Sequence, residues 1–255
     1  MSLWVEPVAC LRDNYAYLIG TEGSTDCIVL DPSAADPIRA RLGERSLDLV
    51  AIFNTHHHPD HTGGNRELVR EFDLPVYAHV RDRQRIPGVT HALDEGDRFS
   101  LLGIEFSVLH LPGHTEGAIT YRARGYAFTG DTLFMGGCGR LKEGTAPQLF
   151  ASLERMKVEF SPTDVCCTGH EYTEANLRFA ASLEPDNAAV LERLELVRQA
   201  RGAGESTAQG PFAQELATNP FLRTREPVLA RAVGLEPGAA PVEVFARLRR
   251  MKDDF

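Results

Sequence analysis

The chain has 255 residues, 43% of them hydrophobic, so it can hold one large domain, or a domain with a smaller companion, around a sizeable core. Its formal net charge of -9 at pH 7 argues against nucleic acid as a partner. No segment approaches the run of about 18 apolar residues that a membrane span needs, and residues 1–10 lack the features of a signal peptide, so we expect a soluble, cytoplasmic protein with no membrane partner.

Short apolar runs separated by turns predict strands in the first part of the chain, at residues 15–19, 27–30, 49–53, 76–78, 104–109, 118–121, 126–128 and 165–168. Helical spacing of apolar residues predicts helices between them, at residues 36–42, 64–72 and 147–157. This order favours two packed sheets flanked by helices. Beyond residue 170 the spacing is helical, at residues 175–183, 188–200 and 242–251, with a Gly-rich loop at 202–211.

A cluster of metal-ligand residues follows the predicted strand 49–53. The sequence Thr-His-His-His-Pro-Asp-His places His56, His58, Asp60 and His61 within six residues. Alternate side chains of an extended segment share a face, so His56 and His58 point the same way while Asp60 and His61 diverge from them. A mixture of imidazole and carboxylate suits Zn, Fe or Mn. The alternative is a surface histidine cluster that binds metal only adventitiously.

Three further candidate ligands each end an apolar run and each follow a glycine: His114 in Leu-Pro-Gly-His, Asp131 in Thr-Gly-Asp and His170 in Thr-Gly-His. Together with the first cluster they give five histidines and two aspartates. If His56, His58 and His114 hold one ion, then Asp60, His61 and His170 can hold a second, and Asp131 can bridge the two. Each ion would then have four protein ligands and room for a shared hydroxide.

This series of motifs resembles the metallo-β-lactamase superfamily, in which a strand-end Asp precedes His-x-His-x-Asp-His and then His, Asp and His. Asp31, in Cys-Ile-Val-Leu-Asp-Pro, takes the first place, and we interpret it as a support for the metal loop; an ordinary aspartate before a turn is the alternative. The resemblance implies an α+β fold, a four-layer αββα sandwich over residues 1–170, followed by a smaller helical domain over residues 171–255.

The resemblance narrows to one branch, glyoxalase II or hydroxyacylglutathione hydrolase, and covers nearly the whole chain. The supporting phrases lie at residues 13–15, 137–140, 143–145, 169–172, 219–221 and 249–255. By this resemblance Arg140, Tyr172, Arg249 and Lys252 bind glutathione, the last two by gripping its glycine carboxylate. A solvated basic face is the alternative for the Arg249 and Lys252 pair. Lys142 stands where relatives often carry an aromatic residue, so contact from that position is in doubt.

The implied activity is a thioester hydrolase that converts S-(2-hydroxyacyl)glutathione, such as S-D-lactoylglutathione, to D-lactate and glutathione. Two divalent ions, with zinc favoured and iron or manganese as alternatives, would supply the attacking hydroxide, and the ligands Asp60 and Asp131 are also predicted to be catalytic. The expected partner is the glutathione thioester, and the expected state is a monomer. Two alternatives remain open: a persulfide dioxygenase of the same superfamily with one iron, and a non-catalytic protein that binds metal or glutathione.

The remaining histidines and the cysteines are not expected to act in the reaction. We predict structural or surface roles for His57, His79, His91 and His110. The five cysteines include no Cys-x-x-Cys pair and are expected to be reduced, largely buried thiols.

Overall fold

The predicted alternation of strands and helices is present in the computed structural model of the chain, which describes residues 2–255. The strands are β1 (Leu3–Cys10), β2 (Asn14–Thr21), β3 (Asp26–Leu30), β4 (Asp48–Phe53), β5 (Val76–His79), β6 (Val89–Leu93), β7 (Arg98–Leu101), β8 (Ile104–His110), β9 (Ile119–Ala123), β10 (Tyr126–Gly130), β11 (Leu133–Phe134), β12 (Gly137–Cys138), β13 (Val165–Thr168) and β14 (Gln209–Pro211). The helices are α1 (Ala35–Arg45), α2 (Pro59–Thr62), α3 (Asn65–Phe72), α4 (Ala146–Glu159), α5 (Thr173–Leu183), α6 (Ala188–Gly202), α7 (Phe212–Thr218), α8 (Pro227–Ala232) and α9 (Pro241–Asp254).

The first sheet has the strand order β1-β2-β3-β4-β5-β6. Strands β1 to β3 pair antiparallel, whereas β3 to β6 pair parallel. Parallel neighbours need crossover connections, and α1 supplies one between β3 and β4, with α2 and α3 supplying the next. Apolar residues of α1 and α3, including Ile38 and Leu68, pack with Val29, Ile52 and Val76 in one buried cluster on this sheet.

Strands β7 to β10 form an antiparallel run in a second sheet, and aromatic rings connect it to the first. The ring centroid of Phe53 lies 5.1 Å from that of Phe106 and 4.9 Å from that of Tyr121. The Tyr121 hydroxyl lies within donating distance of the carbonyls of Asn54, at 3.1 Å, and Tyr77, at 3.0 Å, one just after β4 and the other within β5 of the first sheet. The prediction of two packed sheets with flanking helices is therefore confirmed.

The helical part after residue 170 is also as predicted, with α5 to α9 in that region. The predicted loop at residues 202–211 ends in the short strand β14, which pairs antiparallel with β13. Aromatic residues join the helices: the ring centroid of Phe245 lies 5.8 Å from that of Phe150 and 5.7 Å from that of Phe221. The last helix thereby packs against both α4 and the segment before α8.

Two compact units divide the chain differently from the predicted boundary. One comprises residues 1–110 and 117–130, and the other comprises residues 111–116 and 131–255. The second unit thus includes a short segment from the middle of the first. The division into residues 1–170 and 171–255 stays a prediction.

Within residues 2–255, none of the helices has the length and apolar character that crossing a membrane requires. All five cysteines are buried free thiols, as the sequence predicts.

Candidate metal centre

Four of the predicted ligands lie in the first unit, on the loop that leaves β4 and in the single turn of α2. His56 and His61 are buried, and the Asp60 side chain is 42% exposed. The Nε2 atom of His56 lies 3.0 Å from the Nδ1 atom of His58, and the ring centroids of His56 and His61 are 4.2 Å apart. The Nε2 atom of His61 lies 4.0 Å from the Oδ2 atom of Asp60. The short loop therefore brings its three imidazoles and its carboxylate together.

Asp31, directly after β3, supports this loop by accepting hydrogen bonds from it. Its Oδ1 accepts from the Thr55 backbone N–H at 2.8 Å, and its Oδ2 accepts from the Thr55 hydroxyl at 2.6 Å. The same Oδ2 lies 3.0 Å from the Nδ1 atom of His61. A carboxylate there holds the proton on Nδ1 and leaves the Nε2 lone pair of His61 for a metal. The ligand atoms of Asp31, His56 and His61 lie within 4.8 Å of one another, but Asp31 already accepts from Thr55 through both oxygens. This geometry agrees with the predicted support role.

Sequence reasoning missed Asn14 as a contributor to the centre. Its side-chain amide donates to the backbone carbonyl of Asp60 at 2.9 Å and to the Oδ2 atom of Asp60 at 3.2 Å. Asn14 is buried at the start of β2, a strand whose eight residues are all buried. An amide side chain at the start of a mostly apolar buried strand is the signal that could have identified it.

The other three predicted ligands lie in the second unit and converge on one another. The Oδ2 atom of Asp131 lies 3.4 Å from the Nε2 atom of His114 and 3.5 Å from the Nε2 atom of His170. All three residues are buried. Two atoms that each lie about 2.1 Å from a tetrahedral ion are about 3.4 Å apart, so both spacings fit shared metal ligands. They exceed the usual length of a hydrogen bond.

Backbone atoms of the segment after β12 hold His114 in place. Its Nδ1 atom lies 2.8 Å from the carbonyl oxygen of Arg140, which fixes the proton there and leaves Nε2 for a metal. A Cβ on Gly139 would clash with the backbone carbonyl of Asp131 and would lie 3.0 Å from the Cβ and Nδ1 of His114. Gly130 has φ +49, and a Cβ there would strike the side chain of Thr55. Glycine is therefore needed at positions 130 and 139.

Two of the residues predicted to bind glutathione, Tyr172 and Arg140, lie in the second unit and contact these ligands. The Tyr172 ring stacks on the His170 ring with centroids 4.7 Å apart and an interplanar angle of 8°. Arg140 is exposed, and its Nε lies 3.5 Å from the Oδ1 atom of Asp253. Lys142 is also exposed, and its backbone N–H donates to the carbonyl of His114 at 3.2 Å.

Lys252 is partly buried and has three arginines and one aspartate nearby. Its ammonium donates to the carbonyl of Ala175 at 3.1 Å and lies 5.4 Å from the ring centroid of Phe179. Burial, and after it the charges of Arg249, Arg140 and Arg178, together lower the pKa of Lys252 to about 8, with Asp253 acting in the opposite direction. This part of the second unit would therefore attract an anion.

Arg249 differs from its predicted partner Lys252 because its side chain is buried. Only 3% of the residue is exposed. Its Nη1 donates to the carbonyls of Cys138 at 2.7 Å and Gly139 at 3.4 Å, and its Nη2 donates to Asp253 at 3.2 Å. The structure does not bring Arg249 and Lys252 together on one open basic face.

The other histidines contact residues that do not belong to the predicted ligand set. His57 lies between two ligands in sequence, and its Nδ1 atom lies 3.2 Å from the buried carboxylate of Asp82. The buried His79 ring stacks on the His110 ring with centroids 4.2 Å apart, and His91 stacks on Tyr77 at the same distance. These contacts agree with the structural roles predicted for all four.

Comparison with known proteins places the chain in a family. Residues 11–186 match the metallo-beta-lactamase superfamily, and residues 171–255 match the family described as hydroxyacylglutathione hydrolase C-terminus. A hydroxyacylglutathione hydrolase from Gloeobacter violaceus is 48% identical over 254 residues, which cover 98% of this chain and 99% of the relative.

Two solved structures are similar to this fold. ETHE1 from Myxococcus xanthus has a TM-score of 0.69 and 23% identity, with 98% of this chain and 90% of that chain covered. TTHA1623, solved in a di-iron-bound form, has a TM-score of 0.59 and 27% identity, with 86% of this chain and 100% of that chain covered.

The predicted α+β metallo-β-lactamase fold with a helical C-terminal region is thus confirmed. Superfamily membership and the clusters of His and Asp indicate that the chain binds divalent metal. From the matches along nearly its whole length, the chain belongs to the hydroxyacylglutathione hydrolase family of the metallo-β-lactamase superfamily.

Proposed function

We propose that the protein hydrolyses S-(2-hydroxyacyl)glutathione, such as S-D-lactoylglutathione, to a 2-hydroxy acid and glutathione. The observation that carries this proposal is the near-full-length similarity to relatives named hydroxyacylglutathione hydrolase, at 48% identity in the first case and 45% in the second, from Methylococcus capsulatus. The match of residues 171–255 to the C-terminal family supports it independently of the metal motifs, which are common to the whole superfamily.

Two divalent ions are proposed to occupy the centre, one held by His56, His58 and His114, the other by Asp60, His61 and His170, with Asp131 bridging them. The position of Asp131 supports the bridge, because its Oδ2 atom is almost equally far from His114, at 3.4 Å, and His170, at 3.5 Å, one from each proposed set. The similar protein TTHA1623 was solved with two irons. Imidazole and carboxylate ligands suit zinc, iron and manganese, with zinc proposed here.

When bound, a pair of divalent ions supplies an ionised water as nucleophile and positive charge for the developing oxyanion. The residues of the chain set the conditions for that chemistry. Asp31 and the Arg140 carbonyl hold the outer nitrogens of His61 and His114, so that the inner nitrogens stay unprotonated. Asn14 fixes the carboxylate of Asp60, which with Asp131 is proposed to be catalytic as well as ligating.

The substrate is proposed to lie along the second unit, from His170 towards α9. Tyr172 is placed there by its stacking on His170 and can donate its phenol to a glutathione carbonyl. Arg249 and Lys252 are proposed to bind the glycine carboxylate, whose negative charge would restore the lowered pKa of Lys252. Arg140 is proposed to line the same site, and the guanidinium of Arg249 is buried and donates to the carbonyl of Cys138. The leaving thiolate needs no general acid, since a thiol has a pKa of about 8.5.

The test is hydrolysis of S-D-lactoylglutathione by the purified protein, with its metals counted. Turnover that disappears on treatment with a chelator and returns with zinc is the expected result. Absence of turnover with metals bound would refute the proposed activity. Size-exclusion chromatography of the same sample tests the predicted monomer, and the cytoplasmic location stays a prediction.

A further inference from the structure

The turn of residues 80–86, which follows β5, meets the metal loop of residues 54–61 at one edge of the first sheet. Strands β4 and β5 are parallel neighbours, so the segments that leave their carboxyl ends emerge side by side. The backbone N–H of Asn54 donates to the carbonyl of Tyr77 at 2.9 Å between these two segments of chain. The fold of the sheet therefore brings side chains of the turn against the loop that carries the proposed ligands.

Asp82, in this turn, is a fully buried carboxylate. None of its surface is exposed, and neither of its oxygens forms a hydrogen bond within residues 2–255. A Cβ on Gly117 would strike both of these oxygens, so only glycine leaves room for the carboxylate. Burying a carboxylate is costly unless groups of opposite charge or polarity face it. The burial of Asp82 therefore has to be offset by the polar side chains next to it.

His57 and Arg85 are polar side chains that face this carboxylate. The Oδ1 atom of Asp82 lies 3.2 Å from the Nδ1 atom of His57 and 3.5 Å from the Nη1 atom of Arg85. The Nη2 atom of Arg85 lies 2.5 Å from the Nε2 atom of His57. The ring of His57, whose side chain is 12% exposed, is thus contacted at both of its nitrogens.

The guanidinium of Arg85 determines which nitrogen of His57 carries the proton. A guanidinium only donates hydrogen bonds, so the Nε2 atom of His57 accepts from Arg85. The proton of the neutral ring then lies on Nδ1, on the side of the Asp82 carboxylate. Because one ring nitrogen faces a carboxylate and the other faces a guanidinium, a reversed ring would oppose both neighbours.

The orientation of His57 bears on the two ligands beside it. His57 lies between His56 and His58 in sequence, and it shares a peptide plane with each of them. Its ring centroid lies 4.8 Å from that of His58 and 6.4 Å from that of His56. Any rotation of the backbone at His57 would therefore redirect both imidazoles that are proposed to bind one ion.

We propose that Asp82 is a positioning residue: together with Arg85 it fixes the ring of His57, and the backbone of His57 then sets the directions in which His56 and His58 present their nitrogens to the metal. The proposal rests on the proposed metal centre but on no step of thioester hydrolysis. His57 would thus contribute to metal binding without touching the ion.

The experiment combines His57→Phe, which keeps an aromatic ring but neither nitrogen, with Asp82→Ala and with the double variant. His57→Gln is the rescue, because an amide offers one acceptor and one donor group in place of the two ring nitrogens. His91→Phe and Asp48→Ala are the matched controls, since His91 and Asp48 are both exposed. Two quantities are measured on each protein: the zinc affinity against a competing chelator and the thermal unfolding of the zinc-free form.

Loss of an outer-sphere partner weakens metal binding by about 10- to 100-fold, so we expect His57→Phe and Asp82→Ala each to weaken zinc binding about tenfold. The double variant should also lose about tenfold, because Asp82 acts through His57 and the two losses do not add. His57→Gln should recover part of the affinity, and the controls should match the parent. A loss of about 100-fold in the double variant overturns the proposal. So does parental zinc affinity in the single variants when only their thermal unfolding is changed, since Asp82 would then have a purely structural role.

A measurement on the unmodified protein tests the same geometry even if the variants do not fold. Nitrogen NMR of the histidine rings in the zinc-loaded protein shows which nitrogen of His57 carries the proton. A proton on Nδ1 supports the contact with Asp82, whereas a proton on Nε2 overturns the proposal. If the parent binds zinc but does not hydrolyse S-D-lactoylglutathione, the proposed function fails and these measurements still test Asp82. If the parent binds no zinc, the role of Asp82 is refuted together with the metal centre.

Discussion

Replacement of Asp31 by Asn tests the support beneath the metal loop with little change in shape. Asp31 has φ +50, a left-handed conformation that Asn adopts readily, so the backbone should keep its course. Three donors converge on the carboxylate: the Thr55 backbone N–H, the Thr55 hydroxyl and the Nδ1 atom of His61. An amide offers one oxygen and one NH2 group in place of two acceptors.

The expected loss of zinc affinity follows from the N–H of His61, which loses its carboxylate acceptor. If the amide oxygen stays with the Thr55 N–H at 2.8 Å, the NH2 group faces the Nδ1 atom of His61. The neutral ring can satisfy that NH2 only by moving its proton to Nε2, the nitrogen proposed to bind metal. Loss of such an outer-sphere partner weakens metal binding by about 10- to 100-fold, which is about 1.4 to 2.7 kcal/mol.

The assay is a zinc titration of the metal-free protein against a competing chelator. Asp48→Asn is the matched control, because Asp48 is an exposed carboxylate at the start of β4 that accepts only from the Thr25 hydroxyl among the hydrogen bonds described. We expect Asp31→Asn to lose affinity for one ion and Asp48→Asn to match the parent. Parental zinc affinity in Asp31→Asn would show that the carboxylate does not control His61.

Three other perturbations test neighbouring parts of the site. Asn14→Ala removes the hydrogen bonds of 2.9 and 3.2 Å to Asp60 and should weaken binding of one ion about tenfold, as a zinc titration would show; unchanged binding would exclude Asn14 from the centre. Because burial and nearby arginines lower the pKa of Lys252 to about 8, its charge is present below that pH and lost above it. KM for S-D-lactoylglutathione should therefore rise between pH 7 and 9, and Lys252→Arg should remove the rise; an equal rise in that variant would assign the titration to another group. Asp131→Ala should abolish turnover and reduce both metals by elemental analysis, while His91→Ala, whose exposed ring stacks on Tyr77, should retain both; two ions in the first variant would contradict the bridge.

The closeness of the first group of candidate ligands could be predicted from sequence because its geometry is local. His56, His58 and His61 follow a strand within a few residues, and their order in the chain alone brings their rings together. Strand β1 was not predicted because Pro7 interrupts its apolar pattern. It lies at the edge of the first sheet, where a proline is tolerated.

The contacts of Arg249 on α9 could not be predicted from spacing alone. Residues three apart on a helix lie near one face, which is why Arg249 and Lys252 looked like a pair. The buried stripe of α9 contains Phe245 and Leu248, and Arg249 follows Phe245 by four residues, which extends that stripe. Burial of Arg249 was not predicted, because the carbonyls of Cys138 and Gly139 that accept from its guanidinium lie 111 and 110 residues away in the chain.

The interleaved units have a consequence for how the protein is made. Synthesis runs from the N-terminus, and domains tend to fold as their residues appear. All residues of the first unit exist once residue 130 has been added, but residues 111–116, with His114 among them, belong to the second unit. The hydrogen bond between Arg249 and the Cys138 carbonyl spans 111 residues, so this contact of the second unit forms only near the end of synthesis. A nascent chain would therefore hold the histidines of the first unit before Asp131 and His170 of the second unit are translated.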